Sequence, residues 1–204
     1  MSNNDSNSAV RNIGVGLVGF GTVGTGVWET IEKNGVLMTE RSQGKFSLSV
    51  VKAAVRDMSK KRIEGAPSDL FTDNWSDVVG CSEVDIVVEL IGGTTIAFDI
   101  VAAALRAGKP VVTGNKALLA ERGKELFALS REFGTPIHFE AAVAGGIPVI
   151  KAVQDSYVGN QIESMFGIIN GTSNYILERM TTGGLAYPEA LKEAQELGYA
   201  EADP

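Results

Sequence analysis

The stretch VGFGTVGTG, residues 18–26, overlaps the end of an apolar run, IGVGLVG (13–19), and opens a helical pattern from Thr22 to about Met38. Its glycines Gly19, Gly21 and Gly24 stand in G-x-G-x-x-G spacing, a weak signal alone but a specific one between a buried strand and a helix. Gly19 permits the tight turn, Gly21 lets the backbone come close to a pyrophosphate, and Gly24 lets the helix pack on the strand. The helix amino end then offers N–H groups and a positive dipole to phosphate oxygens. With Phe20, Thr22 and Val23 these glycines form the expected dinucleotide-binding loop. The alternative is a glycine-rich turn that binds nothing, and the pattern further along the chain disfavours it.

Outward from this loop, short apolar runs alternate with helical stretches from Asn12 to Phe139, the signature of βαβ units and a parallel sheet. FSLSVVKAAV (46–55), VDIVVELI (84–91), KPVVTG (109–114) and TPIHFEAAV (135–143) read as strands. AFDIVAAALRAG (97–108) and ALLAERGKELFALSREFG (117–134) keep apolar residues three and four apart and end in glycine, as helices do. After Val143 the pattern changes. QIESMFGIIN (161–170) reads as a strand of a different sheet, GTSNYILERM (171–180) as a helix capped by Thr172 or Ser173, and YPEALKEAQELG (187–198) as a helix with Pro188 in its first turn. The fold expected is α/β: a leader at 1–11, a Rossmann-type doubly wound parallel sheet at 12–135, and the first part of a second, α+β domain at 136–204.

Composition narrows the partners. Eighteen Lys+Arg against 25 Asp+Glu make the 204-residue chain acidic, and no basic stripe awaits a phosphate backbone, so nucleic acid is not an expected partner. No apolar run is long enough to span a bilayer, and MSNNDSNSAVRN lacks the apolar core of a signal peptide. A single cysteine, Cys81, excludes an intramolecular disulfide and reads as a buried small apolar residue in the reducing cytoplasm. His138, alone of its kind, lies within IHF and reads as core filler rather than general base.

At the end of the second expected strand, where a carboxylate would hold an adenosine ribose, stands VRDMSKKR (55–62). Arg56 offers a planar fork suited to a 2′-phosphate, and Lys60, Lys61 and Arg62 add positive charge, which favours NADP over NAD. Asp57 leaves NAD open, because a carboxylate aimed into the site would prefer a free 2′-hydroxyl. The lysines read equally well as a solvated loop.

ELIGGTT (89–95), TGNKALLA (113–120), FEAAVAGGIP (139–148), NGTSNYIL (170–177) and GYAEADP (198–204) together resemble homoserine dehydrogenase, in order and at matching spacing from residue 12 to 204. The resemblance implies NAD(P)-dependent interconversion of L-homoserine and L-aspartate 4-semialdehyde, on the route to threonine, methionine and isoleucine. It places Lys116 between the nicotinamide end and the substrate oxygen, a role that a lysine opposing its own helix dipole supports. It counts Gly92 and Gly198 with the cofactor and Thr172, Tyr199 and Glu201 with the substrate, whereas Asp203, ahead of Pro204, reads as the start of a turn. A monovalent cation, sodium in that family, would fall to Glu140 and the carbonyls of Val143, Gly145 and Ile147; a turn with two glycines does expose such carbonyls. A plain interdomain turn competes with that reading, as a simple helix cap does for Thr172.

The family's pattern continues past GYAEADP with an aspartate and a lysine that handle the substrate proton, so the chain is expected to be a fragment that binds cofactor and turns over poorly. A homodimer is expected to cover its second-domain sheet. A nucleotide-binding regulatory module without catalysis, and another semialdehyde dehydrogenase on the same fold, are the alternatives.

Overall fold

The computed structural model describes residues 10–60, 62–168 and 170–200. Two compact units divide it, Met1–Ala142 and Val143–Pro204. The first unit therefore runs beyond the boundary expected at 135.

In the first unit the chain runs β1 (Arg11–Val18), α1 (Thr22–Arg41), β2 (Phe46–Ala54), β3 (Phe71–Thr72), α2 (Trp75–Gly80) and β4 (Ile86–Glu89). It continues with α3 (Ile96–Arg106), β5 (Val111–Thr113), α4 (Lys116–Phe133) and β6 (Ile137–His138). All neighbouring strands pair in parallel, in the order β3-β2-β1-β4-β5-β6. Winding proceeds one way from β1 through β3 and the other way from β4 through β6, so the order reverses between β1 and β4. A crevice at the carboxyl ends of those strands is the place where such sheets bind ligands.

Both faces of the sheet are covered. Leu17 and Val18, like Val87 and Val88, are consecutive yet belong to different apolar clusters, as side chains alternating across a pleated strand must. One cluster takes Ile100 and Leu105 of α3 with Leu118 and Leu126 of α4, and the other takes Trp28 and Ile31 of α1. Asn115 caps α4 by accepting from Leu118 N at 3.0 Å, and Gly134 closes that helix in the left-handed conformation.

Several expectations need correction. The strand expected at 135–143 is two residues long, because Glu140–Ala142 already form a 3₁₀ turn. His138 is exposed rather than core, since β6 is an edge strand that turns Ile137 inward and its neighbour outward. Cys81 is half-buried against the α3 side of the core. The strand β3 and helix α2, with Asn74 accepting from Ser76 N at 3.1 Å, were not foreseen.

The second unit holds α5 (Val149–Lys151), continued by a π-helical turn at Ala152–Ser156, then α6 (Gly171–Thr181) and α7 (Tyr187–Glu196). Ile176 of α6 packs on Ala190 and Ala194 of α7. Arg179 pairs with Glu193 at 3.0 Å, and with the Tyr175 phenol this holds the Glu193 carboxyl below the usual glutamate range. The α6 cap is Asn170, whose Oδ1 accepts from Ser173 N at 2.8 Å, rather than Thr172 or Ser173. Among the described residues of 161–170 there is neither strand nor helix, and Phe166 is 92% exposed. A strand needs a neighbour to take up its N–H and C=O groups, and the second unit has no described strand to supply one.

The register of α1 on β1 rests on Gly24. A Cβ there would lie 2.1 Å from the Gly19 carbonyl oxygen, a backbone atom that cannot turn away. Gly24→Ala should lose about 1–3 kcal/mol in a urea titration, whereas Gly26→Ala, with open space around it, should gain up to about 1 kcal/mol.

Candidate functional site

A cleft of about 570 Å³ opens at the carboxyl ends of β1, β2 and β4. The first loop lines it with Gly19, Phe20 and Gly21, the loop after β2 with Arg56, Asp57 and Lys60, and Trp75, Ile91 and Ile96 complete its walls. Gly19 holds φ 105° and donates its N–H to the Ala54 carbonyl at 3.0 Å, which folds the loop back across the end of β2. Gly21 is the residue before α1, and nothing stands within 4 Å of where its side chain would be.

That helix end is open to an anion. Its first N–H groups lack intrahelical partners by construction, Gly21 offers no side chain to cap them, and the first turn has no acidic residue. Thr22 and Val23 are exposed in this first turn, Val23 at 62%. Gly24 is buried beneath the loop, so it shapes the site through packing.

Charge on the β2 side is divided. Asp57 Oδ1 accepts from the Ser59 N–H at 2.9 Å and the Ser59 hydroxyl at 2.6 Å, and these bonds hold its carboxyl below the usual aspartate range. Arg62 donates to the Asp57 carbonyl and lies 5.8 Å from the centre of the Phe71 ring. The Arg56 and Lys60 side chains make no hydrogen bond or ion pair among the described residues, and both line the cleft. Lys61 lies outside the described residues.

At the ends of β4 and β5 stands a feature that the sequence reading missed. Glu89 is wholly buried; its Oε2 accepts from the Thr113 hydroxyl at 2.6 Å and its Oε1 from the Ile91 N–H at 3.0 Å. Asn115, between Thr113 and Lys116 in space and sequence, donates from Nδ2 to the Gly93 carbonyl at 2.7 Å. Gly92 is exposed in the turn these bonds hold, and Lys116 is the exposed first residue of α4. An acid ending the apolar run VDIVV was the signal, because a buried carboxyl must find donors.

In the second unit the Thr172 hydroxyl donates to the Tyr199 carbonyl, which joins the first turn of α6 to the segment after α7. The Tyr199 ring lies 4.9 Å from that of Tyr175 and is 56% exposed. Gly198 adjoins it, and Glu201 lies outside the described residues. Ala144 and Gly145 take φ 56° and 59°, a turn that leaves the Val143 and Gly145 carbonyls without donors among the described residues. The Ile147 carbonyl accepts from Val149 N at 2.8 Å. Glu140 belongs to the first unit. Among the described residues no group of three or more His, Cys, Asp or Glu could hold a metal ion, and no helix is long and apolar enough to cross a membrane.

Residues 19–140 match the family model "Homoserine dehydrogenase, NAD binding domain", and residues 148–204 match "Homoserine dehydrogenase". The homoserine dehydrogenase of Pseudomonas aeruginosa is 47% identical over 195 residues, covering 96% of this chain and 44% of that protein. That of Bacillus subtilis is 42% identical over 96% of this chain and 45% of its own length. The chain thus spans less than half the length of these relatives. Among solved structures, a homoserine dehydrogenase from Thiobacillus denitrificans superposes with a TM-score of 0.84 at 48% identity, over 96% of this chain and 45% of that one. A hyperthermophilic archaeal homoserine dehydrogenase in complex with NADPH superposes at 0.75 with 25% identity, over 95% of this chain and 63% of that one.

Because the space above Gly21 is open to ligand and not to protein, Gly21→Ala should keep its thermal midpoint while nicotinamide dinucleotide binding weakens by about tenfold or more. Unchanged affinity in a calorimetric titration would place the phosphates elsewhere.

Proposed function

The chain belongs to the homoserine dehydrogenase family, and from that premise we propose that it serves an enzyme interconverting L-homoserine and L-aspartate 4-semialdehyde with NADP(H), in the cytoplasmic synthesis of threonine, methionine and isoleucine. The observation that carries this reading is the uncapped amino end of α1, open over Gly21 at one side of a cleft that Arg56 enters from the other. The first feature suits a pyrophosphate, and the free guanidinium suits a 2′-phosphate. Asp57 is less suited to a ribose hydroxyl, because the Ser59 turn already occupies one of its oxygens.

When bound, the nicotinamide supplies the semialdehyde carbonyl carbon with a hydride or takes one from homoserine. The chain's own residues bind and orient. Gly19, Phe20 and Gly21 shape the seat of the pyrophosphate and the N–H groups of Thr22, Val23 and Gly24 meet its charge, with Gly92, Lys116 and Gly198 towards the nicotinamide. The Lys116 ammonium stabilises negative charge that develops on the substrate oxygen. Thr172, Tyr199 and Glu201 receive the amino acid: the Thr172 hydroxyl keeps lone pairs for an ammonium after donating to Tyr199, and a carboxylate at Glu201 would pair with the same group.

A monovalent cation, sodium by family resemblance, would take Glu140 with the carbonyls of Val143, Gly145 and Ile147. The unclaimed carbonyls of Val143 and Gly145 support it, and the Ile147 oxygen has a second lone pair beside its bond to Val149. A homodimer would cover the exposed Ile162, Met165, Phe166 and Ile168.

Calorimetric titration of NADPH and NADH, each with and without L-homoserine, tests the reading. NADPH should bind more tightly than NADH and homoserine should strengthen the binding; Arg56→Ala should weaken NADPH about tenfold and leave NADH unchanged. Tighter NADH binding, insensitive to Arg56, would overturn the NADP preference. Binding without any homoserine effect would point to a nucleotide-binding regulatory module.

A further inference from the structure

Strand β4 reads IVVE, three apolar residues followed by a carboxyl side chain at 0% exposure. Such a group is costly to bury unless donors meet its oxygens. Every donor that meets Glu89 comes from the ligand-binding edge of the sheet, and none from the core beneath it. Ile91 N–H and the Thr113 hydroxyl bind its two oxygens, and Asn115 Nδ2 approaches Oε1 at 3.5 Å. Thr113 Oγ1 in turn accepts from Asn115 N at 3.0 Å, which commits the hydroxyl proton to Glu89. Asn115 then uses both ends of its amide: Nδ2 holds the Gly93 carbonyl and Oδ1 caps α4. The next residue is Lys116.

We infer that Glu89 is the positioning residue of this site, fixing through Thr113 and Asn115 where Lys116 and the 91–93 turn stand at the nicotinamide end. The inference deepens the function proposed above and rests on it. Glu89 itself touches neither cofactor nor substrate. Its task is to let two loops at adjacent strand ends hold one geometry, because precise sites need partners that lock their contacting groups.

Replacement by glutamine keeps volume and exchanges one acceptor for an N–H₂ donor. At the Oε2 place that group faces a hydroxyl already accepting from Asn115, and at the Oε1 place it faces the Ile91 N–H and the Asn115 amide. In either orientation a donor is left without an acceptor. The loops relax while the adenosine end of the cleft, built by Gly21 and Arg56, is untouched.

NADPH titrated into the 204-residue chain is the probe, with three readouts: calorimetric affinity, the change in nicotinamide emission on binding, and protection of Lys116 from an amine-acylating reagent, read by peptide mass. Glu89→Gln should bind NADPH within about threefold of the parent, since distant contacts act nearly independently. Its protection of Lys116 should fall about tenfold, as outer-sphere losses do, and the emission change should shrink with it. Thr113→Val should behave like Glu89→Gln, and Thr113→Ser, which restores the hydroxyl, like the parent. This pair decides the matter if Glu89→Gln does not fold. Unaltered protection and emission in Glu89→Gln or Thr113→Val would overturn the inference. So would a fall in affinity that tracks a falling thermal midpoint, the mark of a purely structural acid. Failure of the parent chain to bind NADPH would instead overturn the proposed function, and the inference with it.

Discussion

The amino end of α1 stands directly on the carboxyl end of β1, and the site depends on that approach. It is possible because Gly24 has no side chain to collide with the Gly19 carbonyl, only 2.1 Å from where a Cβ would be. Packed this closely, the helix aims its unpaired N–H groups over the switch point between β1 and β4, where the connections leave the paired strands in opposite directions and a crevice opens at their carboxyl ends. The left-handed Gly19 bends the chain into that position and ties it to β2 through Ala54. The loop after β2, with Arg56, is thereby brought to the same cleft.

The two ends of the cleft are built by different physics. The β2 side is exposed, and there Arg56 and Lys60 keep cations unpaired among the described residues, in a chain whose net charge is −7. An anionic ligand is the natural partner for positive charge left free on so acidic a protein. The β4–β5 side is a buried network in which Glu89, Thr113 and Asn115 satisfy one another and leave Lys116 at the surface. No described buried side-chain polar atom lacks a partner. Such completeness is what allows a polar cluster to stiffen a site instead of weakening it.

Much of this was legible in the sequence because the informative signals were local. A strand, a glycine turn and a helix follow one another within residues 11–41, and the glycines after α3 and α4 announced where those helices end. What was not legible depended on partners. VDIVV and QIESMFGII look equally strand-like, yet the first lies between β1 and β5 while the second has no described strand beside it. His138 differs from a core residue only through β6 being an edge. β3, two residues long, was too short to carry a period. Glu89 was visible as a letter, but its side-chain donors, Thr113 and Asn115, come from another segment at the end of β5, and spacing along the chain does not encode them.

Cofactor binding at this cleft depends on the α1 amino end receiving the pyrophosphate. Backbone amide NMR of the labelled chain during titration with NADPH addresses this directly. The Gly21, Thr22 and Val23 amide resonances should shift first and furthest, saturating together with the Trp75 indole on the cleft wall. Saturable binding that leaves those three amides unmoved would contradict it.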